Sequence, residues 1–253
     1  MDKYYLIDSH THPQFPQYDK DREEVIHRSL DKGIGMICVG TDLETSKQAV
    51  GLAKKYDRIF ASVGLHPNDT SEKDFDYDEF LKLAKEEGVV AIGETGLDYY
   101  RTKEENLKKQ KEKFKLQIKL AREVGLPLII HCRDAYEDIF SILSQEKGVR
   151  GVMHSFLSSI KNAEKFLNLG FYLGFNGIIT FARDYDKVII STPLEKILIE
   201  TDAPFLTPEP YRGKRNEPSY VEHVCEKLAT LINIDKKIVA TQTVDNSKKL
   251  FGI

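Results

Sequence analysis

Short apolar runs alternate with longer charged, amphipathic stretches along the whole chain. The runs at 4–8 (YYLID), 35–39 (GMICV), 59–64 (IFASVG), 89–93 (VVAIG), 127–131 (PLIIH), 151–154 (GVMH), 171–175 (FYLGF) and 197–201 (ILIET) have the length of buried strands. Helices are predicted between them near 19–32, 44–56, 74–87, 104–124, 134–146 and 158–169, with a helical segment near 181–191 before the last run. The clearest is 104–124, where Leu107, Phe114, Ile118, Ala121 and Val124 form one apolar stripe on a Lys- and Glu-rich surface. A Pro-rich loop, APFLTPEPYRGKRNEP, follows the last run, and helices near 217–233 and 235–250 end the chain.

Eight strands alternating with helices imply right-handed βα units and a parallel sheet. The predicted fold is α/β, a single (β/α)8 TIM barrel occupying 1–253 as one domain. An open doubly wound sheet is the rival, but no Gly-rich dinucleotide fingerprint follows the first run. The length of 253 residues fits one such barrel.

Composition narrows the class without naming an activity. Charged residues at 30% and hydrophobic ones at 41% are those of an ordinary soluble protein. The segment MDKYYLIDSHTH has no long apolar core, so no secretory signal is expected, and no run is long enough to span a bilayer. Three cysteines without CxxC spacing give no disulfide framework and fit a reducing, cytoplasmic setting. A net charge of −3 means that any attraction to nucleic acid is local. No membrane contact and no obligate protein partner is expected.

Polar residues with metal affinity stand at the ends of the apolar runs: His10 and His12, Glu94, His131, His154 and Asp202. In a parallel barrel these ends share the C-terminal face of the strands, where sites are built. His10 and His12 are two apart, a spacing that aims both side chains the same way on a strand. His131 and His154, taken singly, also fit hydrogen-bonded core histidines. Asp202 has Glu200 beside it, and one or both face the barrel mouth. Glu94 stands in GETGLDY, where Asp98 shapes the turn with Gly96.

Six ligands exceed the needs of one tetrahedral zinc. Two ions about 3.5–4 Å apart would use them all, with one carboxylate as bridge. Neutral imidazoles and two carboxylates leave such a pair with positive charge, which attracts an anion such as phosphate. The donor set suits zinc, magnesium or manganese. His66, in VGLHP, ends a further candidate strand and is a further ligand, an acid or a phosphate contact, or only hydrogen-bonds the loop that Pro67 stiffens. Arg133 either meets a phosphate or pairs with Asp134 or Glu137. Arg212, Lys214 and Arg215, with Tyr211 and Asn216, form a basic, aromatic loop suited to a nucleic-acid backbone. Cys132 is expected to face the helices, and no GxSxG elbow or P-loop is present.

The motifs DSHTH (8–12), VGLHP (63–67), IGETGLDY (92–99), IIHCRDA (129–135), MHSF (153–156), LGFNG (173–177), IETDAPFL (199–206) and RGKRNEP (212–218) occur in that order over nearly the whole chain. With them the sequence resembles the TatD family of metal-dependent deoxyribonucleases, within the amidohydrolase-like barrel superfamily. The resemblance implies hydrolysis of DNA phosphodiester bonds, as a 3′-5′ exonuclease on single strands, with two divalent ions as cofactors. It implies that His10, His12 and Asp202 bind one ion, that Glu94 bridges, and that His131 and His154 bind the other. His66 would contact the scissile phosphate, and Asp202 would orient or deprotonate the attacking water. The catalytic set is then Asp202, Glu94 and His66, and the substrate contacts are His66, Arg133, Arg212 and Arg215. Two other readings remain: an amidohydrolase or lactonase acting on a small substrate, and a non-catalytic metal or nucleic-acid binding module. An open groove lined by Arg133, Arg212 and Arg215 would favour the nuclease, and a small closed mouth the lactonase.

Overall fold

The computed structural model describes residues 4–100 and 102–253; Arg101 and residues 1–3, which begin the segment read for a secretory signal, lie outside them. All eight predicted runs are strands: β1 (Leu6–Thr11), β2 (Ile34–Val39), β3 (Ile59–Val63), β4 (Val89–Asp98), β5 (Leu128–Arg133), β6 (Gly151–Met153), β7 (Tyr172–Phe175) and β8 (Ile197–Ile199). They form one parallel sheet in sequence order. The helices between them are α1 (Arg22–Asp31), α2 (Leu43–Lys55), α3 (Tyr77–Ala84), α4 (Glu104–Val124), α5 (Tyr136–Gln145), α6 (Ile160–Asn168) and α7 (Asp186–Ser191). Two more, α8 (Val221–Ile232) and α9 (Lys236–Phe251), follow β8. The helix predicted over 181–191 starts five residues later, after a 3-10 turn at residues 177–180 capped by Asn176.

The sheet curls into a TIM barrel because each strand buries both faces. Alternate residues such as Met36, Cys38, Ile130, Leu173 and Ile199 pack outward against the helices. Ile37, Val39, Ile129, Val152, Tyr172 and Leu198 pack together inside the barrel, where Leu250 and Phe251 at the end of α9 join them. Two residues beyond Ile129, Val152 and Leu198 come His131, His154 and Glu200. Strand alternation therefore carries these polar side chains to the same inner wall, one layer above the apolar core.

The last seam closes above β8 rather than along it. Asp202 N–H donates to His10 O at 2.9 Å, and His12 N–H donates to Ala203 O at 2.8 Å. Below them the Asp8 carboxylate accepts from Thr201 N–H at 2.9 Å and from Thr201 Oγ1 at 2.5 Å. Asp8 is fully buried, and that burial pushes its pKa well above the carboxylate range. The loop carrying Asp202 is thus stitched to the strand carrying His10 and His12.

Two strands depart from simple alternation. β1 shifts register between Asp8 and Thr11, and β4 shifts against β5 between Ile92 and Thr95. Such bulges re-aim side chains at barrel rims. Beyond the second one, Gly96 pairs with His131 at φ +138°, and a Cβ there would lie 2.0 Å from His131 O. Only glycine allows β4 to run this close to the backbone of His131.

Candidate metal centre

The six strand-end residues meet at one point of the barrel mouth, with the Glu94 carboxylate at its middle. One Glu94 oxygen, Oε2, lies 3.4 Å from His10 Nε2 and 4.0 Å from His12 Nε2. Those two nitrogens are 3.1 Å apart. Asp202 Oδ1 lies 3.6 Å from the first and 3.4 Å from the second. The other oxygen, Oε1, lies 3.0 Å from His131 Nδ1, 3.5 Å from His154 Nε2 and 3.4 Å from His66 Nε2. One carboxylate therefore faces two separate groups of nitrogen atoms.

Neighbouring groups decide which nitrogen of each ring carries a proton. His12 Nδ1 lies 2.7 Å from Val39 O, a pure acceptor, so Nδ1 bears the hydrogen and Nε2 turns its lone pair to the centre. His154 Nδ1 faces Glu200 Oε1 at 2.9 Å, which leaves Nε2 for the centre. His131 Nε2 faces Asp98 Oδ2 at 3.1 Å, which leaves Nδ1 on the Glu94 side. A carbonyl or carboxylate behind a ligating imidazole is the usual support of a metal-bound histidine. His66 is arranged the other way round. Its Nδ1 accepts the Asn68 N–H at 3.1 Å, so the neutral ring carries its hydrogen on Nε2 and points a donor into the site.

The charge balance fits cations. Burial would raise the pKa of Glu94, but the surrounding imidazoles hold it well below the carboxylate range. Asp202 is likewise lowered against its burial by His12, His154 and His10. Burial would lower His154, yet Glu200, Glu94 and Asp202 push it up to about 10. His131 is raised against its burial by Asp98 and Glu94, whereas burial and the neighbouring His154 lower His10. The buried carboxylates that raise His131 and His154 are the charge that cations at this centre would balance. Three groups of this set could each hold an ion: His10, His12 and Asp202; His10, Glu94 and His154; and His66, Glu94 and His131.

The centre forms the floor of a cavity of about 670 Å³. The model of the family described as TatD related DNase matches residues 7–252. The chain belongs to the TatD family. It is 44% identical over 256 residues to the metal-dependent hydrolase YabD of Bacillus subtilis, covering 98% of this chain and 99% of that one. It is 36% identical over 252 residues to the 3′-5′ ssDNA/RNA exonuclease TatD of Escherichia fergusonii, covering 94% and 95%. Among solved structures, the TatD homologue YjjV of Escherichia coli K12 superposes with a TM-score of 0.90 at 29% identity, over the full length of both chains. The protein is a metal-dependent hydrolase of this family.

The substrate contacts predicted for this TatD chain are only partly assembled at the mouth. Arg133 lines the cavity, with its guanidinium 3.6 Å above the Tyr100 ring. Arg212 is exposed outside the cavity lining, lies 3.7 Å above the Phe181 ring and donates to Thr207 O. Arg215 is held bidentately by Asp21 at 2.6 and 2.8 Å and is also outside the lining. Its neighbour Asn216 is buried and donates to Thr201 O and Phe205 O. This part of the RGKRNEP motif braces the Asp202 loop from below. Cys132 packs against the outer core as expected and also borders the cavity.

Two carboxylates matter more than the sequence suggested. Asp98 does more than shape a turn, since it holds His131. Glu200 holds His154 and also accepts the Ser155 N–H at 2.7 Å. The signal for Glu200 was its two-residue spacing from Asp202. Glu200→Gln is expected to weaken metal affinity about 10- to 100-fold, because the amide cannot accept from both groups with the same charge. Isothermal titration of metal-free protein with zinc or manganese measures this.

Proposed function

We propose that the protein hydrolyses phosphodiester bonds of nucleic acid, as a 3′-5′ exonuclease on single-stranded DNA, with two divalent ions sharing Glu94. The observation that carries this reading is the Glu94 carboxylate, whose two oxygens face two different nitrogen sets. His10, His12, Asp202 and Glu94 Oε2 would hold one ion, and His131, His154 and Glu94 Oε1 the other. When bound, the pair would acidify a water molecule and stabilise charge on the transferred phosphoryl group. Asp202 is the acceptor for the proton of the attacking water, since its carboxylate is held ionised and is the more accessible of the two acids. His66 donates its Nε2–H to a non-bridging phosphate oxygen, and Arg133 supplies the cationic side chain among the cavity-lining residues.

The likeness to a 3′-5′ ssDNA/RNA exonuclease supports the substrate class. A specific observation favours a small-molecule substrate instead: Arg212 and Arg215 do not join Arg133 in the cavity lining. Among the described residues no helix is long and apolar enough to cross a membrane, and the free cysteines fit the reducing cytoplasm proposed as its location. The deciding experiment is digestion of 5′-labelled single-stranded DNA with magnesium, manganese or zinc. Stepwise shortening from the 3′ end is expected. A strand left intact with every metal, alongside turnover of a lactone, would transfer the assignment to the small-substrate class.

A further inference from the structure

Two phenyl rings line the cavity on the side of His12 and Asp202. Phe15 lies flat on the His12 ring, with centroids 4.5 Å apart and planes inclined by 15°. Phe205 stands nearly edge-on to Phe15 at 6.3 Å and 69°. Phe205 is 46% exposed, and none of the chemistry assigned to the metal centre uses it.

The backbone under Phe205 is fixed on both sides. Its N–H donates to Asp202 O at 2.9 Å, and its carbonyl accepts from the buried Asn216 amide at 2.5 Å. A half-exposed aromatic face is thereby displayed on a braced loop, three residues from Asp202. A ligand that suits both neighbours carries an anion for the metal centre and a flat aromatic ring for Phe205. A nucleotide has both.

We propose that Phe205, backed by Phe15, is the platform on which an unpaired nucleobase beside the scissile phosphate stacks, and that it selects single strands over duplex. This rests on the nuclease reading given above. A base stacks on a side chain only when one of its faces is free, whereas a duplex covers both faces with neighbouring pairs. Every base offers such a face, so the platform selects strand state and not sequence.

The test compares two single-stranded DNA substrates, one intact and one lacking the bases of its last two nucleotides at the digested end. Steady-state kinetics are measured for the wild type, Phe205→Ala and Phe205→Trp. Phe205→Ala is expected to raise KM for the intact strand roughly 5- to 100-fold. Its ratio of intact to base-free KM, well below one in the wild type, should rise to about one, and Phe205→Trp should restore the wild-type ratio. Equal KM ratios in the wild type and Phe205→Ala overturn the proposal, as does altered self-association of Phe205→Ala at unchanged KM, which assigns the ring to a contact between copies. Failure of the nuclease reading looks different: the wild type then shortens neither strand with any divalent metal, and the platform falls with it.

Discussion

Asp202→Asn is expected to lower the rate of hydrolysis on the order of 10³-fold while leaving the fold intact. The backbone of Asp202 sits at φ 56°, in the left-handed region that asparagine also tolerates. Its N–H bond to His10 O does not involve the side chain, so the loop keeps its stitch to β1. What changes is charge. Oδ1 lies within 3.6 Å of both His10 Nε2 and His12 Nε2, and a neutral amide there removes one of the two carboxylates of the candidate metal centre. The amide also cannot take the proton of an attacking water. Turnover of a labelled strand, with thermal melting as the control for folding, measures both. A variant within tenfold of wild-type turnover would show that Asp202 is only a structural residue.

Stripping the ions with a chelator is expected to reduce hydrolysis to background, with recovery on adding back a divalent metal. The same treatment should lower thermal stability. Binding at an ion concentration about 100-fold above Kd contributes about 2.7 kcal/mol. For a chain of this size that corresponds to roughly 5–10 °C in Tm. Differential scanning calorimetry with and without manganese reads this shift. Unchanged turnover after complete metal removal would contradict the assignment of these residues to ions.

Much of this centre was legible in the sequence because a parallel strand converts position into direction. A polar residue ending an apolar run reaches the barrel mouth, and this rule brought His131 and His154 to the centre. It worked less well where the register shifts. The run predicted at 4–8 extends to Thr11, with a bulge between Asp8 and Thr11, so alternation counted from Ile7 does not give the orientation of His10. Glu94 lies within a comparable irregularity of β4, between Ile92 and Thr95.

The supports of the histidines were hidden for another reason: their partners are remote in sequence. Glu200 reaches back 46 residues to His154, and Asp98 lies 33 residues before His131. Periodicity says nothing about such pairs. Arg215 is the clearest difference. A basic residue in a loop reads as a phosphate contact, but Asp21, 194 residues away, holds it in a bidentate ion pair. Only the closing of the barrel brings the two together. Asn216 is explained in the same way, since the carbonyls it binds belong to the loop after β8.

The sharing of Glu94 by two ions is tested most directly by titrating metal-free protein with manganese and recording its electron paramagnetic resonance spectrum. Two ions per chain are expected, with a spin-coupled signal that grows as the second ion joins the first and disappears in Glu94→Gln. Saturation at one ion per chain, or two ions with uncoupled spectra, would contradict it.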